Sequence, residues 1–484
     1  MAETTRIKLS RSPSALAEGD RLAAAGRLEE ALPAYRAALA RNPDHPEIRC
    51  NLGNILLGLG QAEEALATYQ EVLARGFDHP LVHYNIGTAF RALGQPERAL
   101  PAFEAALARA PSFAPAHNNR GNALRDLGRH AEAATAYLDA LAVRPSDTGT
   151  RVNLASVLSL LYERDGQMPM IPASPDTDTS PVSGRDGGPA SSWTRSPRVT
   201  LGGRGCARPA SEDSLNESPS RPDGMSPHED PKSAVALARR WRTAHPEDPM
   251  ARHVAAALIG DAPPPRAEDG YVRALFDGFA ADFDRQLASL AYSVPALVET
   301  LDRLWPQPSA AMTVLDAGCG TGFSAPMLRP HARHLTGVDL SPEMLALAQQ
   351  RQLYDALELT EITAFLANHP EGYDLIVATD VLCYFGTLAP VLGAAAAALR
   401  PGGRVMFTVE LDPAPNAPAF TLQSNGRYRH AETAILALLE ASGLDAGTPM
   451  VNRLRRENGR DVPGGFFEAR RRDSSWMTKP GGSR

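Results

Sequence analysis

Gly318, Gly320 and Gly322 alternate in VLDAGCGTG, directly after a run that reads as a strand and before one that reads as a helix. Glycines at such a turn let the backbone come close to a bound group and take conformations that other residues avoid. That is the chemistry of a nucleotide cradle. Asp339 follows Gly322 by 17 positions, at the end of the strand-like run HLTGVDL. A carboxylate there can accept hydrogen bonds from two ribose hydroxyls. Asp316 stands two positions before the first glycine, and Glu361 or nearby residues close a third strand-like run. Asp380 ends a fourth, with Tyr384 and Phe385 behind it. The dinucleotide fingerprint G-x-G-x-x-G/A requires a small residue at 323, where this chain has Phe323. A nicotinamide-dependent reductase is therefore the weaker reading. Cys319, inside the loop, reads as a small filler rather than a nucleophile.

These side chains need a sheet to hold them. From 312 onward, strand-like and helix-like segments alternate. MTVLDAG, HLTGVDL, LELTEI, YDLIVATDVLCYF, GRVMFTVEL and a last strand over 462–470 are separated by the helix-like SAPMLRPHA, SPEMLALAQQR, APVLGAAAAALR and HAETAILALLEASG. Ser341 is a natural N-cap with Pro342 in the first turn, and Pro401-Gly402-Gly403 is a stop. Such alternation predicts an α/β doubly wound (Rossmann-like) sheet, with ligands at the carboxyl ends of its strands. Ahead of it, 271–304 reads as mostly helical, with Phe276, Phe279 and Phe283 on one core-facing side.

The first third repeats. Gly26, Gly60, Gly94 and Gly128 recur every 34 residues, as do Gly19, Gly53, Gly87 and Gly121. Ala31, Ala65, Ala99 and Ala133 follow the same period, as do Tyr35, Tyr69, Phe103 and Tyr137. The pattern resembles tetratricopeptide repeats, and four units fit between 14 and 149. A fifth first-helix follows at 150–166, closing an all-α solenoid over 14–166. Asn51, Asn85, Asn119 and Asn153 share the period. The resemblance implies a protein- or peptide-binding module, with this asparagine ladder either solvated consensus or a groove contact for a partner's backbone.

Between 167 and 230 the chain turns rich in Pro, Ser, Gly and Asp and loses apolar periodicity, which predicts a disordered linker tethering two halves. Two connecting helices are expected over 231–262 and a flexible tail over 473–484. At ~100–200 residues per domain, a chain of 484 residues holds two to four. A net charge of −7 argues against a nucleic-acid binder. No run approaches the ~18 apolar residues of a membrane span. The start MAETTRIKLS lacks an apolar run after its basic residues, so a cytoplasmic setting is expected. The four cysteines lie far apart, and His331 and His334 read as solvated on a surface helix with no third ligand, so no metal site is expected.

Taken in order, VLDAGCGTG, GVDLSPEML, YDLIVATDVLCYF and LRPGGRVMF resemble a class I S-adenosylmethionine-dependent methyltransferase, over about 270–472 of a domain drawn at 268–472. Together with the repeats, FDGFAADFD, SNGRYRH and GRDVPGG resemble a bacterial group of repeat-bearing methyltransferases. The resemblance implies S-adenosylmethionine as cofactor. It implies Gly318, Gly320 and Gly322 against the carboxypropyl and ribose parts, and Asp316 beside the amino group. Asp339 would hold the ribose hydroxyls, Glu361 with Ile362 would flank the adenine, and Asp380 with Val381 would sit near the methionine end. Relatives often carry Asp at the place of Glu361. If the acceptor must lose a proton, Asp380, Tyr384, Tyr428 and His430 are the candidate bases, the last two foremost. A scaffold whose C-terminal domain binds the cofactor without turnover is the competing expectation.

Overall fold

The structure is a computed structural model that describes residues 14–166, 230–260, 263–280, 283, 295–457 and 460–472. The expected linker, up to 229, and the tail 473–484 lie outside the described residues, as does the side chain of Phe279.

Helices α1 (Ser14–Ala24), α2 (Leu28–Arg41), α3 (Pro46–Gly58), α4 (Ala62–Ala74), α5 (Pro80–Ala92), α6 (Pro96–Arg109), α7 (Ala114–Asp126), α8 (His130–Val143) and α9 (Thr148–Gly166) pack each on the next as an all-α tetratricopeptide solenoid. The periodic glycines explain how tightly. A Cβ on Gly53 would stand 2.5 Å from the Tyr69 ring, and one on Gly87 or Gly121 would stand 2.6 Å from the ring of Phe103 or Tyr137. Only a hydrogen fits there, so each first helix closes onto the buried aromatic of its partner. Gly60 and Gly94 turn the chain between helices at φ +77° and +68°, where a side chain would be strained.

The asparagines tie one repeat to the next. Asn85 Nδ2 donates to Asn54 Oδ1 at 2.9 Å, Asn119 Nδ2 to Tyr84 Oη at 3.0 Å, and Asn153 Nδ2 to Asn118 Oδ1 at 3.2 Å. Asn51 is buried, and its Oδ1 finds no partner. Three of the four ladder asparagines thus serve the array's own stacking in this structure.

Helices α10 (Ala234–Ala244) and α11 (Pro249–Ile259) extend the solenoid instead of forming a separate connector. Helix α10 packs on α8 and α9, and α11 packs on α9. A recurring cap marks the register. His117 Nε2 donates to Pro111 O at 2.7 Å, Arg151 Nε to Pro145 O at 2.9 Å, and Arg252 Nη1 to Pro246 O at 2.8 Å. Residues 167–229 therefore join two helices of one array. The stretch expected to tether two halves thus has described helices on either side of it, α9 and α10, that touch. Helix α12 (Asp269–Phe279) packs on α9 and α11 and leads into the second half.

That half is the α/β doubly wound sheet. Its described strands are β1 (Met312–Ala317), β2 (Ala332–Asp339), β3 (Ala356–Leu359), β4 (Tyr373–Ala378), β5 (Leu399–Leu411), β6 (Phe420–Leu422), β7 (Tyr428–His430), β8 (Leu444–Ala446), β9 (Met450–Glu457) and β10 (Arg460–Arg471). The order is β3-β2-β1-β4-β5-β10-β8. Strands β1 to β5 run parallel, and β10 returns antiparallel to β5. The order reverses between β1 and β4, which opens a crevice at their carboxyl ends. Strands β6 to β9 are additions that sequence periodicity missed, because three-residue strands and the Arg-rich β9 carry no clear apolar alternation. His331 is buried against Trp305, and His334 lies in β2, so neither sits on a solvated helix.

Gly87→Ala forces a methyl group into the Phe103 ring and should lower stability by about 1–3 kcal/mol. The check is urea unfolding of the full chain followed by helical circular dichroism, where the midpoint falls.

Candidate active site

The carboxyl ends of β1 to β4 open into a cavity of about 770 Å³, within the size range of small-molecule sites. Gly318 and Gly320 line it from the loop after β1, Asp339 from the end of β2, Glu361 and Ile362 from beyond β3, and Asp380 and Val381 from beyond β4. Four strand ends thus deliver these residues to one space.

The loop has a defined construction. Gly318 takes φ +75°, and a Cβ there would lie 2.5 Å from Val381 Cγ2, so β1 and β4 can exit side by side only with glycine. Gly320 takes φ +53°, and a Cβ would meet only Phe283, at 3.9 Å. The space over Gly320 is therefore open to a ligand. Its N–H donates to Asp339 Oδ2 at 2.9 Å, while Ser341 N–H donates to Asp339 Oδ1 at 2.9 Å. These bonds lock the carboxylate at the strand end and leave further lone pairs for ligand hydroxyls. Burial raises the Asp339 pKa, and the two N–H donors oppose that shift.

Asp316 and Gly322 do not reach the cavity. Asp316 is buried behind the loop and accepts a hydrogen bond from Tyr354 Oη at 2.6 Å. Burial pushes its carboxyl up to about 7, against the pull of that hydroxyl, with the Asp339 charge adding to the rise. Gly322 backs onto Arg351 and Tyr354, where a Cβ would stand 3.1 Å from each side chain. Both residues support the loop from beneath. Cys319 is buried, and burial raises its thiol pKa well above the ordinary value, which makes it inert at neutral pH. Glu361 lines the cavity but also caps the helix Ile362–Ala367, accepting from Ala364 N–H at 2.8 Å.

Tyr428 and His430, foremost as candidate bases, are corrected. Neither lines the cavity. Tyr428 is fully buried and donates its hydroxyl to Pro264 O at 2.9 Å. His430 Nε2 lies 2.9 Å from Phe385 O and 3.2 Å from Gly386 O, so that nitrogen carries the proton and donates. Burial lowers the His430 pKa and keeps the ring neutral. The β6–β7 hairpin turns both side chains toward backbone carbonyls behind the site. Tyr384 does line the cavity, yet burial raises its phenol pKa and keeps it protonated.

Asp380 remains at the cavity, in the left-handed region at φ +56°. Its N–H donates to Thr408 Oγ1 at 2.8 Å, and its Oδ1 accepts from Arg455 Nη1 at 2.9 Å. Arg455 is buried and also pairs with the buried Glu410. Arg427 and Arg429 approach the same Glu410 at 3.6 and 3.7 Å. Nothing in the spacing of the sequence links these residues, because Glu410, Arg429 and Arg455 come from β5, β7 and β9, Arg427 precedes β7, and β9 itself was not foreseen. Among the described residues, no group of His, Cys, Asp and Glu could hold a metal ion.

Residues 285–445 match the model of a methyltransferase domain, and 22–84 and 84–148 match two tetratricopeptide repeat models. Human methyltransferase-like protein 27 is 34% identical over 175 residues, covering 36% of this chain and 67% of that protein. A ubiquinone biosynthesis O-methyltransferase of Xylella fastidiosa is 31% identical over 105 residues, covering 21% of this chain and 43% of that protein. A solved S-adenosylmethionine-dependent methyltransferase of Methanosarcina mazei is similar at 17% identity and a TM-score of 0.30, covering 36% of this chain and 98% of that one. With its glycine loop at the switch point and its repeats in front, the chain belongs to the methyltransferases, as a tetratricopeptide-repeat-containing member.

Proposed function

We propose that this protein transfers a methyl group from S-adenosylmethionine to an acceptor that enters the 770 Å³ cavity, while the repeats dock a protein or peptide partner. One observation carries the reading. Gly320 faces open space at positive φ, its N–H is tied to Asp339, and both line the same cavity as Asp380. The donor set fits the cofactor: bare backbone at Gly318 and Gly320, a carboxylate for the ribose at Asp339, and Ile362 beside Glu361 for the base.

When bound, S-adenosylmethionine supplies an electrophilic methyl group. The chain's part is to align the acceptor, which contributes up to about 7–11 kcal/mol in well-oriented systems. Of the carboxylate, phenol and imidazole candidates, Asp380 is the carboxylate that lines the cavity, where its Oδ1 accepts from Arg455 Nη1. The partner's contact with Asn51, Asn85, Asn119 and Asn153 is the finer part of this proposal, and it requires the partner to compete with the inter-repeat bonds of Asn85, Asn119 and Asn153.

Isothermal calorimetry of the full chain with S-adenosylhomocysteine should give a measurable heat of binding; silence up to about 1 mM, the range of weak affinities, would refute the cofactor reading. Gly320→Val should abolish that binding. Asp339→Ala removes charge-assisted hydrogen bonds of about 1.5–3 kcal/mol and should weaken it roughly 10- to 100-fold. By contrast, Tyr428→Phe should lower stability by about 0.5–1.5 kcal/mol in urea unfolding and leave the affinity within a factor of about two.

A further inference from the structure

Helix α9 has two occupied faces. Leu154, Val157, Leu158 and Leu161 are buried on one side, where the helix packs on α8 and α10. On the other side, Val152, Ala155, Ser156, Ser159, Leu160 and Glu163 line the 770 Å³ cavity. Those positions follow a spacing of three and four, one helix face over three turns. The helix is also 19 residues long, where the first helices of the preceding units, α3, α5 and α7, have 13. The extension carries Glu163 to the cavity.

We infer that α9 is a wall of the acceptor chamber, so that the repeat array itself selects the acceptor, and that this acceptor is a small molecule with an apolar body. The inference rests on the methyl-donor reading above and deepens it. The donor-side residues occupy the strand ends. The cavity then continues between α9 and α12, where Val152, Leu160, Leu275 and Phe276 offer apolar surface, and the Ser156 and Ser159 hydroxyls offer hydrogen bonds at the same wall. Phe276 meets Phe283 and Tyr384 edge-on, at ring separations of 6.0 and 5.5 Å, and all three rings line the cavity. An apolar body gains there by leaving water, and a polar group it carries can pair with the two serine hydroxyls. The position of α9 is not free to drift. Arg151 Nε meets Asp248 at 3.3 Å, and α12, which packs on α9, is bonded to the segment after β2, where Arg273 Nε donates to Leu340 O at 3.1 Å and Ser341 Oγ donates to Asp277 Oδ1 at 2.5 Å.

The test needs no identified acceptor. The probe is a sulfonium analogue of S-adenosylmethionine in which the methyl group is replaced by 3-phenylpropyl, so that an apolar arm leaves the sulfur on the acceptor side. Calorimetry uses the full chain, with S-adenosylhomocysteine as the control ligand. The wild type should bind both. Ser159→Trp should weaken the analogue at least tenfold and leave S-adenosylhomocysteine within twofold, and Ser156→Met should act in the same direction by a smaller factor. Unchanged analogue affinity in both variants overturns the inference, as does a wild type that binds S-adenosylhomocysteine but not the analogue. Failure of the wild type to bind S-adenosylhomocysteine overturns the methyl-donor reading instead.

Discussion

The site depends on a short backbone strap. Ala267 N–H donates to Tyr384 O at 2.8 Å, and Gly386 and Thr387 N–H groups donate to Pro265 O at 2.9 and 2.8 Å. The strap pins the exit of β4, and with it Asp380, to the segment that enters α12. Pro263, Pro264 and Pro265 suit this role, since a proline-rich stretch is extended before it docks and lacks competing N–H donors. Further contacts close the seam on either side. His253 Nε2 donates to Gly426 O at 2.9 Å, and the His253 ring lies 4.2 Å from that of Tyr271. Tyr428 and His430, buried on the same side, hold Pro264, Phe385 and Gly386 through their hydrogen bonds. Their chemistry is used to hold backbone.

Charge is treated differently at the two ends of the cavity. At the end of β2, the carboxylate of Asp339 accepts hydrogen bonds from the backbone N–H groups of Gly320 and Ser341. Beyond β4, Asp380 faces a guanidinium that is itself held by Glu410. Such a buried ion pair contributes little net stability, because desolvation offsets the attraction. Its value is geometric. A planar guanidinium between two carboxylates fixes the direction of Asp380, and the left-handed backbone of Asp380 needs that support.

The repeats were legible down to single atoms of packing. The series Gly53, Gly87 and Gly121, 16 positions before Tyr69, Phe103 and Tyr137, is the imprint of a contact that only hydrogen can fill. The strand ends were legible too: Gly318, Gly320, Asp339, Glu361 and Asp380 all reach the cavity. Asp316 and Gly322 share the same sequence signal but face Tyr354, since position along a loop does not tell which side of it a group takes. Tyr428 and His430 looked like site residues because their hairpin is near the strand ends, and burial turned them to backbone carbonyls instead.

By itself, the sequence determined the two architectures and which strand ends line the cavity, because periodicity and glycine placement are local constraints written into neighbouring residues. Tertiary structure alone decided how the halves meet. Residues 167–229 look like a boundary in composition, yet α10 lies against α9 and the solenoid runs through to α12. Arg455 reaches Asp380 across 75 positions, and α9 reaches the cavity from the far side of that compositional break. Contacts of that sequence separation carry no period, so only packing could bring them together.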